Sequence, residues 1–550
     1  MTLTHTMSRE IGQSQSRAVP IEAWLAWVLA FAAFSAFLPR DVSYDVAHYQ
    51  IHNGWALLND RIHHDFAPAD MHSFINPPYN AFVWWLIERL PGPLVSAVLA
   101  LPQALILPGL FYLTRAISTA LTGSATRNVC LFIAAIGFLA DGHFSLFASI
   151  RNDAWGAAAF IGALALSVRE DGSLAGWKRL AVASLIMGAV LGMKGTNLPY
   201  TLAFASFVLI LAEGHRARLN AALICAAGGF VSAALLTVPY AWILWTEFAN
   251  PVFPMANGLF DSPLGPDAYD AYARRKPDGL LGLLVFPFVF TFNSEIIGST
   301  DLDDVRLLLG YVSAIALLGL LARNRLNKSA RPGARLVLAL AAAFLIGLFA
   351  WMQAFSVLRY YIAGWMLGPV LVFALVLFLT REAVVSHRLR MLGLAAAVPL
   401  LAFTGPMDLR RAAWSDFGEP YVSADIPGPE RFEDAFILFT GDDPSAFLAT
   451  QFPASATFGH AVMQDYFRPA LENYRPLLRD ALWASDRPVY AVMFERKGET
   501  GRERMLSRLA MRENLIGRSE TCERIPTNFE ANDGLWLVCP LERGDEAAKP

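Results

Sequence analysis

The sequence predicts an all-α polytopic membrane protein of about eleven spanning helices, N-terminus inside and C-terminus outside, ending in a small α/β domain. Three observations carry this. Apolar runs approaching the ~20 residues that span a bilayer recur from residue 21 to residue 404. Charged residues make up only 17% of the 550, and 55% are hydrophobic, whereas soluble domains are roughly a quarter charged. The basic residues of alternate loops also collect on one side. The net charge of −3 offers no footing for nucleic acid.

The runs lie at 21–39, 94–114, 128–149, 154–168, 180–193, 198–212, 220–243, 304–322, 336–353, 362–380 and 391–404. The first follows Arg17 and Pro20, has no small-residue cleavage site, and is continued by many others. It therefore reads as a spanning helix behind a cytoplasmic segment 1–20, not as a cleaved signal. Tryptophans and tyrosines near the run ends suit the membrane interface. Ala81–Leu90 is apolar but too short to cross and holds Glu88 and Arg89, so it is expected along the outer interface.

With the N-terminus inside, the inner loops carry Arg115 and Arg127, then Arg169, Lys178 and Arg179, then His215, Arg216 and Arg218. Arg323, Arg325, Lys328, Arg331 and Arg335 follow, and Arg381, Arg388 and Arg390 close the series. Five basic loops in succession satisfy the positive-inside rule. The outer side receives loop 40–93, the Arg151–Asp153 junction, the Lys194–Asn197 hairpin, loop 246–303, the turn at Arg359 and the tail from Gly405. The membrane domain is thus 21–404 and the extracytoplasmic domain 405–550.

In the tail the apolar runs shorten and charges return. FILF, VYAVMF and LWLVC read as strands, and the stretches around Tyr474–Leu482 and Arg502–Arg512 as helices. Of four cysteines, Cys130 and Cys225 sit in apolar helices and read as inert. Cys522 and Cys539 each flank a strand of the tail and form a disulfide candidate if the tail lies in an oxidising compartment.

The first loop concentrates the chemistry. Five of the ten histidines lie there: His48, His52, His63, His64 and His72. Asp45, His48, Tyr49 and His52 share helical spacing and can line one face of a short helix at the membrane surface. A half-buried carboxylate at such a boundary can serve as a general base; the plainer alternative is a helix cap. His48 and His52, four apart, are candidate ligands for a divalent metal, although nothing in the sequence fixes a third. No cofactor is otherwise called for.

Further motifs follow in order: Asn76–Pro77–Pro78 before a short aromatic segment, SIRNDAW with Arg151 and Asp153, GMKGTNLPY with Lys194, and LRYYIAGW with Arg359. Together with the acidic residue just past the first helix, this order resembles the GT-C superfamily of polytopic glycosyltransferases that use polyprenyl-phosphate-linked sugars. The resemblance covers roughly residues 20–405. It departs from the common Asp-Glu pair, because Asp45 is followed by Val46, with Asp41 four residues earlier.

The resemblance implies a bacterial inner-membrane enzyme whose partners are a polyprenyl-phosphate-linked sugar, membrane lipid, and a glycan, lipid or protein acceptor. Asp45 would deprotonate the acceptor and invert the anomeric centre, with Asp153 as the second catalytic carboxylate. Arg359 and Lys194 would bind the donor phosphate. His48, Tyr49, His52 and Asn76 would line the first loop or the acceptor. Plainer readings stand beside these: Arg359 and Lys194 can snorkel to headgroups, and Asp153 can merely pair with Arg151. Two other activities remain open, a lipid-linked polysaccharide ligase or polymerase and a transporter or flippase of lipid-linked sugars. Against transport, the charges cluster at one surface and no repeat is visible. A non-enzymatic assembly protein is a further alternative.

Overall fold

The computed structural model describes residues 19–544 apart from 268, 271, 299–301, 303, 327–332, 381–409, 463–467, 497–500 and 530–533. Helices of eight residues or more dominate the first 380 positions. They are α1 (Ile21–Phe37), α2 (Ile51–Leu58), α3 (Pro78–Ile87), α4 (Gly92–Ala104), α5 (Ile106–Thr122), α6 (Arg127–Phe138) and α7 (Asp153–Leu166). The series continues with α8 (Trp177–Met193), α9 (Leu198–Leu211), α10 (Gly214–Phe248), α11 (Gly279–Phe292), α12 (Arg306–Leu326), α13 (Ala334–Ala354) and α14 (Ile362–Thr380).

Among the described residues, five stretches are long and apolar enough to cross a membrane: Gly92–Thr122, Gly214–Phe248, Arg306–Arg323, Ala334–Ala354 and Leu358–Thr380. The core of the helical bundle is aromatic; Phe111, Phe160, Tyr200, Phe207, Trp351 and Trp365 are all fully buried. α10 differs, for it leaves Phe230, Leu235 and Trp242 almost bare. In water such a face would be unstable, whereas in hydrocarbon it costs nothing.

Three expectations need correction. The run 94–114 extends to residue 122 and breaks at Leu105 between α4 and α5; Pro102 and Pro108 flank the break, and proline removes a helical donor and crowds the preceding turn. The run 128–149 is helical only to Phe138 before a single turn at Asp141–Phe144. There the polar Asp141 and His143 interrupt it, and His143 Nδ1 lies 2.7 Å from the Phe138 carbonyl. Loop 246–303 contains α11, an apolar helix whose Leu280, Leu281 and Phe292 are exposed. The expected run 391–404 lies outside the described residues.

The two ends of the bundle differ. At one end Arg115 faces Glu170 at 3.4 Å, and Arg335 reaches the Ala212 carbonyl at 3.2 Å. At the other end lie the residues singled out for chemistry.

The tail forms a mixed sheet in the order Thr457–Val462, Phe436–Thr440, Val489–Arg496, Gly534–Arg543 and Leu515–Gly517, with Glu523–Ile525 also paired to Gly534–Arg543. The strands are β1 (Arg40–Asp41) and β2 (Arg411–Ala412), which pair with each other, then β3 (Phe436–Thr440), β4 (Thr457–Val462), β5 (Val489–Arg496), β6 (Leu515–Gly517), β7 (Glu523–Ile525) and β8 (Gly534–Arg543). β3 is parallel to both β4 and β5, and β8 is antiparallel to its neighbours. Two helices, α15 (Arg475–Trp483) and α16 (Gly501–Glu513), accompany the sheet, and a disulfide joins Cys522 to Cys539.

The sheet and the first loop share one core. Val46, Ile51, Trp55 and Tyr79 pack with Phe439, Phe447, Phe458 and Trp536. Polar anchors reinforce it. The buried Arg40 pairs with Glu419 beneath the Trp414 ring. Arg61 holds Asp65 through two hydrogen bonds of 3.0 and 2.6 Å, and Asp65 in turn accepts the Phe458 amide at 3.0 Å. The loop that carries Asp45 is therefore braced against the C-terminal sheet.

Candidate active site

Four charged side chains from four chain segments meet at one end of the bundle. Asp45 stands just before a π-helical turn at Val46–Gln50 that runs into α2, and Asp153 opens α7. Lys194 ends α8, and Arg359 lies in the 3-10 turn that leads into α14. Each is placed at a helix terminus.

Arg359 Nη2 lies 2.7 Å from Asp45 Oδ2, and its Nε lies 3.6 Å from Asp153 Oδ2. Lys194 Nζ donates to Asp153 Oδ1 at 2.7 Å. Tyr49 donates its hydroxyl to Asp45 Oδ2 at 3.0 Å. Tyr360 forms a wall between the cations: Lys194 Nζ is 4.6 Å and Arg359 Cζ 5.2 Å from its ring centre. The quartet balances two carboxylates with two cations, which lets it exist in a low-dielectric setting.

The balance is incomplete at the centre. Asp153 Oδ2 and Arg359 Nε are buried yet have no hydrogen-bond partner. The Arg359 side chain is nevertheless 28% exposed, so the cluster opens on one side. Burial pushes the Asp45 carboxyl upward, but Arg359, followed by Lys194, Arg151 and His72, outweighs it and holds the group at about 2.

Some expected partnerships are not formed. Arg151 does not pair with Asp153; its Nε lies 3.0 Å from Asp41 Oδ2, which also accepts the Ser149 hydroxyl at 2.5 Å. Asp41 is thus tied to Arg151 through the β1–β2 region, and the second carboxylate of the cluster is Asp153. Asn76 donates its amide to the Gly192 and Leu236 carbonyls at 2.6 and 3.2 Å. It ties the first loop to α8 and α10.

His48 and His52 do not converge. His52 Nδ1 turns to Asn53 Oδ1 at 3.2 Å, and burial pushes its imidazole down to about 4, so it is neutral near pH 7. His48 instead joins Asp70 and His72. Among the described residues this trio is the one grouping of three or more His, Cys, Asp or Glu close enough to share a metal ion. Sequence reading missed Asp70 as its hub, although Asp70 and His72 stand in the same histidine-rich loop. It also missed Tyr272 of segment 246–303, whose ring lies 6.3 Å from that of Tyr360 and 5.3 Å from that of Phe355. Only its place in an expected outer loop hinted at this.

A cavity of about 800 Å³ begins at Trp155 and Met193, neighbours of Asp153 and Lys194, and runs between α4, α5, α7 and α8 to Arg115 and Arg169. Its walls are mostly apolar, with Leu105, Pro108, Leu166 and Val190 among them.

No family model matches the chain, and no curated protein matches it. Among solved structures it is similar to ArnT from Cupriavidus metallidurans bound to undecaprenyl phosphate. The alignment covers 94% of this chain and 97% of that one, at 14% sequence identity and a TM-score of 0.42.

Proposed function

We propose that the chain is a GT-C-type membrane glycosyltransferase that moves a sugar from a polyprenyl-phosphate donor to an extracytoplasmic acceptor. The observation that carries this reading is the quartet: an open arginine and a lysine set beside two carboxylates, with orphaned polar atoms between them. Arg359 offers a planar fork that matches phosphate oxygens, and Lys194 adds a point charge. The apolar cavity lined by Trp155 and Met193, near Asp153 and Lys194 along the chain, has the chemistry of a polyprenyl tail. The reading places residues 1–20 in the bacterial cytoplasm, residues 21–404 in the inner membrane, and 405–550 outside.

In the reaction the acceptor hydroxyl or amine attacks the anomeric carbon and Asp45 takes its proton. The C1–O bond breaks, its electron pair leaves with the polyprenyl phosphate, and configuration inverts. The departing phosphate gains negative charge, which Arg359 and Lys194 offset. Asp153 keeps both cations in place.

The Arg359–Asp45 pair, 2.7 Å apart, sets the order of events in this reading. A carboxylate held at about 2 is a weak base, because general bases work best with a pKa near the operating pH. A donor phosphate competes for the same Arg359 that holds Asp45 down. Once the arginine turns to phosphate, burial dominates and the carboxylate becomes more basic. Donor binding thus arms the base.

The test is transfer by purified protein in nanodiscs, with a panel of polyprenyl-phosphate sugars and a membrane lipid extract as acceptor. Transfer from at least one donor is expected. Movement of intact donor between leaflets without transfer would replace this reading with transport.

A further inference from the structure

A second buried polar cluster lies beside the quartet. Asp70, 2% exposed, sits between two imidazoles: His48 Nε2 is 2.9 Å from its Oδ2, and His72 Nδ1 is 2.6 Å from its Oδ1. One potential ligand atom from each of the three lies within 4.8 Å of the others. The His48 and His72 ring centres are 5.3 Å apart and nearly perpendicular, and two imidazoles on one tetrahedral ion, bonded at ~2.0–2.1 Å, place their centres about 5 Å apart.

His460 of β4 stands behind His48, with ring centres 6.5 Å apart. Both histidines are 2% exposed, and the Nδ1 atoms of both are buried without a hydrogen-bond partner. Hydrogen bonds within the cluster therefore satisfy only half of the His48 ring and leave His460 Nδ1 unsatisfied. Buried polar atoms of this kind are rare unless something completes them.

We propose that His48, Asp70 and His72, with His460 as the fourth ligand, bind one divalent transition metal, of which Zn²⁺ is the chemical match. Imidazole nitrogens with a single carboxylate suit zinc, whereas magnesium and calcium take oxygen-rich shells. The site is structural and no step of the transfer reaction runs through it. Its ligands come from three places: the turn that starts at Asp45, the 3-10 segment Asp70–Phe74, and the C-terminal sheet. The ion would clamp all three. His72 also stacks on Tyr49 at 5.1 Å, and Tyr49 donates to Asp45, so the clamp fixes the direction in which the carboxylate points.

Metal binding can be read without any activity. Full-length protein in detergent is stripped with chelator and equilibrated with Zn²⁺ alone, and bound metal is counted by mass spectrometry. One equivalent per chain is expected. Asp70→Asn and His460→Gln should each bind at least about 100-fold more weakly, and His64→Ala, at an exposed histidine, should bind as the parent does. Co²⁺ offered to the unmutated chain should give a tetrahedral visible spectrum that Zn²⁺ abolishes, a result that does not depend on any variant folding. Uptake by fewer than about one chain in ten, full binding by Asp70→Asn, or no cobalt spectrum would overturn the proposal. Because the readout is metal alone, these outcomes are independent of whether the chain transfers sugars.

Discussion

Replacing Asp45 with Asn separates a base from a scaffold. The amide preserves shape and can still accept from Tyr49, whose hydroxyl lies 3.0 Å away, but it cannot take a proton from the acceptor. General-base catalysis is worth roughly 10²–10⁴ in rate, or ~3–5 kcal/mol of barrier, and kcat should fall by that factor. Donor affinity should move the other way. Asp45 competes for Arg359 at 2.7 Å, and Asp153 at 3.6 Å and the Tyr360 hydroxyl at 3.4 Å still hold the arginine in place. Removing the competing charge should therefore leave donor binding unchanged or tighten it by up to about tenfold, ~1.4 kcal/mol. The assay pairs single-turnover transfer with donor binding measured separately, in protein whose thermal unfolding matches the parent. Turnover within about threefold of the parent would remove Asp45 as the base and move the search to Asp153. Loss of donor binding in step with turnover would mean that the residue only holds the site together.

The other predictions concern charge, pH and the tail. Arg359→Gln should lower kcat by about 10²–10³, as for other donors that meet developing charge, and weaken donor binding; Arg359→Lys should recover part of the binding, because it keeps the charge without the fork. A lysine variant equal to the glutamine variant would contradict phosphate recognition. The acid limbs of kcat/KM and kcat should differ. In the free protein Asp45 is held at about 2, so kcat/KM should show no Asp45 limb above about pH 3; in the donor complex Arg359 is engaged elsewhere, the carboxyl pKa rises, and the kcat limb should move to higher pH. Coincident limbs would refute the competition for Arg359. Cys522→Ser with Cys539→Ser opens a link across 17 positions and should destabilise the C-terminal sheet by about 3 kcal/mol, measured by denaturant unfolding against the intact disulfide; an unchanged midpoint would show that the link contributes nothing.

Much of the fold could be read along the chain because lipid simplifies the problem. A spanning helix must satisfy its own backbone polar groups and present apolar side chains for about twenty residues. Runs such as 198–212, 336–353 and 362–380 accordingly fall on α9, α13 and α14 with ends a few residues apart. In the tail FILF, VYAVMF and LWLVC fall on β3, β5 and β8 and the two expected helices on α15 and α16, because apolar periodicity is local, whereas β4, β6 and β7 were not read. α11, whose fourteen residues include Pro287, was not read.

The sequence by itself determined which residues carry charge at helix ends: Asp45, Asp153, Lys194 and Arg359 were each identifiable because an ionisable group beside an apolar run is costly and therefore unusual. Only the tertiary structure decided their partners. Asp153 is two residues from Arg151, yet it pairs with Lys194, 41 positions away, while Arg151 turns to Asp41 across 110. His48 passes over His52, one helical turn away, for Asp70 and His72, with His460 brought alongside by the sheet. Local chemistry fixes what a side chain can do; packing of distant elements fixes what it meets, because pair energies fall off within a few ångströms and sequence separation says nothing about that distance.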